Sequence, residues 1–249
     1  MTASARRRTG SERGLSLVEV TIVLLVLMLL TGVLAPSIMD FVRDAQWIKA
    51  KEDCEAIGVS VLRLARDVGP CLKFSGTGPC TKANRVDLLY SAGPDVTTAD
   101  VAGDAAMTFS GGGNTASDLN WHADDTRGDS MEHQLVDNGT GPAYPTPGDF
   151  GSLSALQSGT GWRGAYLSPP IGPDPWGHRY LVNSVFLSVA RDAQPGTGQG
   201  QRGGGWSNDA FCISAGPNGR YETAFGGNGF QGVSRRGDDL VFLISGDTR

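Results

Sequence analysis

"RGLSLVEVTIVLLVLMLLTGVLAP", residues 13–36, decides how the rest of the chain is read. Residues 15–35 carry a single charge, Glu19. As a helix they span about 31 Å, which matches the hydrocarbon thickness of a bilayer. Arg6, Arg7, Arg8 and Arg13 precede the stretch, and Asp40 and Asp44 follow it. The positive-inside tendency therefore keeps the start in the cytoplasm and exports the bulk. An ordinary secretory signal has a shorter apolar run, and here Pro36 stands where its cleavage product would begin. The arginine cluster lacks the apolar residues of a twin-arginine signal.

Glu19 needs a reason. A carboxylate deep in a bilayer costs about 2.5 to 3.5 kcal/mol on insertion scales. Glu19 lies about one turn inside the span, so reaching back to the headgroups is one explanation. The second rests on its neighbours: Gly14, then Leu15, Ser16 and Leu17, with Glu19 fifth after the glycine. This arrangement resembles the class III signal of type IV pilins and type II secretion pseudopilins. Leu15 stands where that family more often has Phe. Gly32 and Pro36 also fall where the family carries helix-loosening residues.

The resemblance implies a life history. A prepilin peptidase would cut between Gly14 and Leu15, making residues 1–14 a leader, and would methylate the new amine of Leu15. The helix would then leave the bilayer for a filament core, where Glu19 of one subunit compensates the amine of the next. Pro36 would loosen or kink the helix at the membrane exit.

Charge and composition set further limits. Cutting after Gly14 removes four arginines and one glutamate and leaves 17 basic and 25 acidic residues, a charge of -8. Such a body has no electrostatic footprint for nucleic acid. With 39% hydrophobic residues and 36 glycines, the chain has material for one core and many loops.

Helical spacing continues through residues 37–69. Cys54, Ile57, Val61, Leu64, Ala65 and Val68 recur at threes and fours, a stripe that packs on a domain, until Gly69-Pro70 stops it. Helix from 15 to 68 would be roughly 80 Å long. Residues 70–249 read as loops threaded by short strands: "VDLLYS" (86–91), "RYLV" and "VFLSV" around Asn183-Ser184, "AFCIS" (210–214) and "LVFLIS" (240–245). Residues 92–160 show almost no periodicity and are expected to be an irregular, Gly-rich insertion. The expected fold is α+β: a pilin fold with the long helix packed on a small antiparallel sheet.

Four cysteines in an exported domain suggest disulfides. Cys71 and Cys80 flank a short loop and make one pair, worth about 3 kcal/mol by the chain-entropy model. Cys54 on the helix stripe and Cys212 in an apolar strand either clasp helix to sheet or stay as buried thiols.

Two more stretches narrow the resemblance. "DPWGHRY" carries Asp174, Pro175, Trp176, Gly177 and Tyr180, and is similar to the DPWG-x-x-Y segment of the major pseudopilin. "ISAGPNG" (213–219), ahead of the paired acids in "GDDLVF", is similar to that family's S-x-G-P-D-G turn. The local chemistry of DPWG is that of a good turn with an apolar lid. The resemblance further implies a calcium ion in the last loop. Asp238 and Asp239 match the paired acids, and Asn218 stands where the family has Asp, which lowers the ligand charge by one but keeps an oxygen. "YSAGPDVTTADVAGD" (90–104) repeats the S-A-G-P phrase and brings Asp95, Asp100 and Asp104, either a second cation site or a duplicated turn.

Enzyme readings find little footing. Ser130 and His133 in "RGDSMEH" lack an apolar strand leading into the serine. His122, His133 and His178 are the only histidines and have no zinc spacing. The glycine clusters "GGGN" and "GQRGGGW" lack the Lys-Ser/Thr ending of a phosphate loop. The expected function is a structural subunit of a type II secretion pseudopilus in the bacterial inner membrane and periplasm. It would work with minor pseudopilins and an inner-membrane assembly platform. The alternative is a minor pseudopilin or type IV pilin whose insertion binds a partner or surface; an enzyme on an uncleaved anchor is a third class.

Overall fold

A computed structural model describes residues 16–76, 78, 80, 81, 84–102, 121, 128–138, 142–146, 161–188, 210–225 and 235–245. The chain divides into two compact units, 1–45 and 46–249. Helix α1, Leu17–Val68, begins in the first and ends in the second. It is helical through Pro36. Proline costs one backbone bond, and the helix continues on both sides of it. The helix stops after Val68 because Gly69 takes a φ of +97°, the left-handed conformation that glycine adopts most easily.

In the first unit every described residue from 16 to 45 is exposed, including Leu24, Leu25, Leu29 and Phe41. The second unit is a helix on a sheet. Ala50, Cys54, Ile57, Val61 and Leu64 of α1 are buried at the spacing read from the sequence, with Ala65 and Val68 half-buried. Gly58 sits on the same face against the Phe242 ring; a Cβ there would come within 2.5 Å of it.

Five strands form the sheet: β1 (Leu88–Tyr90), β2 (Gly128–Ser130), β3 (Leu181–Val182), β4 (Ala210–Ser214) and β5 (Leu240–Ser245). Their order is β2-β1-β3-β4-β5. Only three pairs are antiparallel; β1 and β2 run parallel, so the sheet is mixed rather than antiparallel as expected. Parallel neighbours need a crossover of a dozen residues or more, which residues 91–127 supply.

That crossover lies in the stretch expected to be largely irregular, residues 92–160. It contributes β2 and a short helix α2 (Met131–Leu135), with Met131 and Leu135 fully buried. It also contributes Trp121, fully buried against Phe211, Tyr221 and Phe225 with its indole N–H donating to the Thr223 carbonyl at 2.7 Å. Single core anchors leave no periodic trace. "VFLSV" is corrected, because Val185–Ser188 forms a helical turn, α3, instead of a strand. Asn183 is the cause: its side chain accepts the Phe211 N–H and donates to the Phe225 carbonyl, and the Ser184 hydroxyl donates to the Val86 carbonyl. The chain turns there because side chains take up the ladder's bonding groups.

Candidate functional site

Gly14 and Leu15, the expected cleavage pair, lie outside the described residues. Just past them, the Ser16 hydroxyl accepts the Val18 N–H, and the Glu19 carboxylate accepts the Ser16 N–H at 2.9 Å. Ser16-Leu17-Val18-Glu19 is thus a capping box, in which serine and glutamate satisfy donors that the first helical turn leaves open. The S-x-x-E spacing was legible in the sequence and had gone unread. Glu19 therefore has a local partner before any neighbouring chain is considered. The described residues hold one helix long and apolar enough to cross a membrane.

The DPWG segment is a turn whose purpose is to grip α1. Asp174, almost fully buried, accepts the N–H groups of Trp176 and His178 on Oδ1 and the Ser214 hydroxyl on Oδ2 at 2.6 Å. Gly177 takes φ +95° to close the turn. Pro175 presets the backbone before it. Trp176 meets Trp47 of α1 edge to face at 5.3 Å, and the Arg235 guanidinium lies over Trp47. The Tyr180 hydroxyl donates to Asp53 of α1 at 3.0 Å, and burial pushes its pKa up, so it stays a neutral donor. Asp53 also pairs with Lys49. Trp47 and Asp53 were not singled out from the sequence, because their partners are some 130 residues away.

The repeated S-A-G-P phrase has a structural cause. β1 and β4 flank β3 on opposite sides, and each ends in the phrase, at 91–94 and at 214–217. Ser91 accepts the Tyr180 N–H on its hydroxyl, while Ser214 holds Asp174, so the two serines bracket the DPWGHRY turn. The loops that follow run together: the Tyr221 N–H donates to the Asp100 carbonyl and the Ala102 N–H to the Tyr221 carbonyl. Two of the first loop's acids are already engaged. Asp95 pairs with Arg179 at 2.8 Å, and Asp100 accepts the Thr97 N–H and hydroxyl, which hold its pKa down. Asp104 lies outside the described residues.

The last loop is different. Asp238 accepts the Asn218 N–H on Oδ2 at 3.0 Å, and fully buried Asp239 accepts the N–H groups of Glu222 and Thr223 on Oδ2. Asp238 Oδ1, Asp239 Oδ1 and Glu222 Oε2 are buried without a hydrogen-bond partner, three of the five such side-chain atoms among the described residues. Burial pushes the Asp239 carboxyl up to about 6. Glu222 lies against Gly237, where a Cβ would collide with its Oε2. Asn218 turns its own oxygen to the Arg220 N–H at 2.7 Å. The unsatisfied oxygens thus belong to Glu222, Asp238 and Asp239, and Glu222 had not been singled out. Anionic oxygens without donors suit a hard cation. No group of three or more His, Cys, Asp or Glu side chains is gathered at metal-ligand spacing among the described residues.

Cys71 and Cys80 form a disulfide, as expected. Cys54 and Cys212 face each other as buried thiols. Ser130 caps α2 by accepting the Glu132 N–H, and His133 contacts Asp129 at 3.0 Å. His122 and both glycine clusters lie outside the described residues. No known family model, curated protein or solved structure matches the chain.

Proposed function

We propose that the chain is a structural subunit of a type II secretion pseudopilus. It is made as a prepilin in the bacterial inner membrane, with one span and its C-terminal domain in the periplasm. A prepilin peptidase cuts after Gly14 and methylates Leu15, and the subunit polymerises through α1 into a helical filament. Minor pseudopilins and an inner-membrane assembly platform are its partners. The observation that carries this reading is α1 itself, a helix apolar through Ala35 apart from Glu19, exposed through residue 45 and striped with buried side chains from Ala50 to Leu64. The leader residues and the DPWG and S-A-G-P segments support it by resemblance.

In the assembled form Glu19 exchanges its bond to the Ser16 N–H for the methylated amine of a neighbouring subunit. A buried amine left without an anion would be costly, so the exchange favours addition of the next subunit. Calcium belongs to the same proposal: Asp238 and Asp239 would hold it, Glu222 would have to move in to join them, and Asn218 would stay on the Arg220 N–H. The ion would supply positive charge to oxygens that now lack donors and so tie residues 216–223 to 235–239.

Co-expression with a prepilin peptidase tests the reading. The mature chain should begin at methylated Leu15, and Glu19→Ala should be cut normally yet be methylated less and enter filaments poorly. An intact leader beside active peptidase, or normal filament yield from the variant, would overturn it.

A further inference from the structure

Cys54, in the buried stripe of α1, and Cys212, in the middle of β4, meet inside the helix-sheet core. Their exposures are 1% and 0%, and their sulfurs are 3.2 Å apart, with the Cys212 thiol donating to Cys54 Sγ. A disulfide places its sulfurs about 2.05 Å apart, so closure asks them to approach by about 1.2 Å. We infer that Cys54 and Cys212 become a second disulfide when the domain folds in an oxidising compartment, joining α1 covalently to the sheet.

The location rests on the export proposed above; the pairing rests on the contact between the two sulfurs. In the folded core the thiols are poor nucleophiles, because the thiolate is the reacting form and burial raises the Cys212 pKa well above its ordinary value. The bond therefore forms while the core is still open. One cysteine loses a proton and attacks the disulfide of a protein thiol oxidase, releasing one of the oxidant's sulfurs as a thiol. The second cysteine then loses its proton, attacks the mixed disulfide and displaces the other. Two cysteine sulfurs are oxidised, the oxidant's disulfide is reduced to a dithiol, and the protons pass to the released thiolates.

The bridge would join residues with a sequence separation of 158, against nine for Cys71–Cys80. Longer loops restrict the unfolded chain more in the chain-entropy model. A filament subunit pulled through its helix would keep helix and domain together.

Alkylation of the unreduced, denatured full-length chain after export, followed by peptide mapping, is the test. All four cysteines should escape alkylation, with one cross-linked peptide joining Cys54 to Cys212. Alkylated Cys54 and Cys212 beside an intact Cys71–Cys80 bond would overturn the inference. Four alkylated cysteines would overturn it as well and remove the oxidising compartment with it. N-terminal sequencing of the same sample reports leader cleavage separately, so failure there touches only the proposed function. As a second readout, Cys212→Ala should melt on the order of 10 °C below the wild type, and the gap should narrow sharply in reductant. An equal gap with and without reductant would show loss of packing alone and overturn the inference.

Discussion

The two halves of α1 share one backbone geometry but differ in what covers them. Residues 16–45 are exposed on every side, whereas 46–68 hide Ala50, Cys54, Ile57, Gly58, Ser60, Val61 and Leu64 along one stripe. A helix that is apolar all round has no preferred face within its own domain; one with a stripe has exactly one such face to bury. Under the proposed function, lipid and then neighbouring subunits cover the first half, and the chain's own sheet covers the second.

The contrast breaks most readily in the first half. Leu25→Arg puts a charge near the middle of the span, at about 2.5 to 3.5 kcal/mol on insertion scales, and should move the chain out of the membrane fraction while the domain's melting temperature holds. Leu64→Ala is the counterpart: this fully buried side chain should cost about 2 to 5 kcal/mol of domain stability, read from thermal or urea unfolding in detergent, with membrane retention unchanged. If either substitution produced the other's effect, the division would fail.

The turns that grip the second half allow finer tests. Trp176→Ala removes the contact with Trp47 and should lower stability by about 1 to 3 kcal/mol, since Trp176 is half-buried and not in the core. Millimolar Ca²⁺ should raise the melting temperature of the wild type. Glu222→Gln should weaken that rise more than Asn218→Ala does, and equal effects would return Asn218 to the ligand set. Tyr180→Phe deletes only the hydroxyl that donates to Asp53 and should cost about 1 kcal/mol, the smallest effect of the series.

How much was legible followed from how local each signal is. The stripe of α1, its stop at Gly69 and the strands "AFCIS" and "LVFLIS" rest on spacing and propensity within a dozen residues, and they stand as read. "VFLSV" failed because Asn183 and Ser184 bond to partners more than 25 residues away. Trp121 was hidden in an aperiodic stretch because a single anchor has no period. At the candidate cation site Asp238 and Asp239 were visible as a pair. Glu222 was not, because only the fold brings its backbone N–H to Asp239, 17 positions further along the chain.

The sequence by itself determined where the chain is apolar all round, where one face must be buried, and that Cys71 and Cys80 lie close enough to pair. Those are consequences of composition and short-range spacing. Only the tertiary structure decided that β2 joins β1 in parallel, that the two S-A-G-P loops bracket one turn, and that Cys54 meets Cys212. Each depends on which distant segments the core brings together, and no local pattern carries that information.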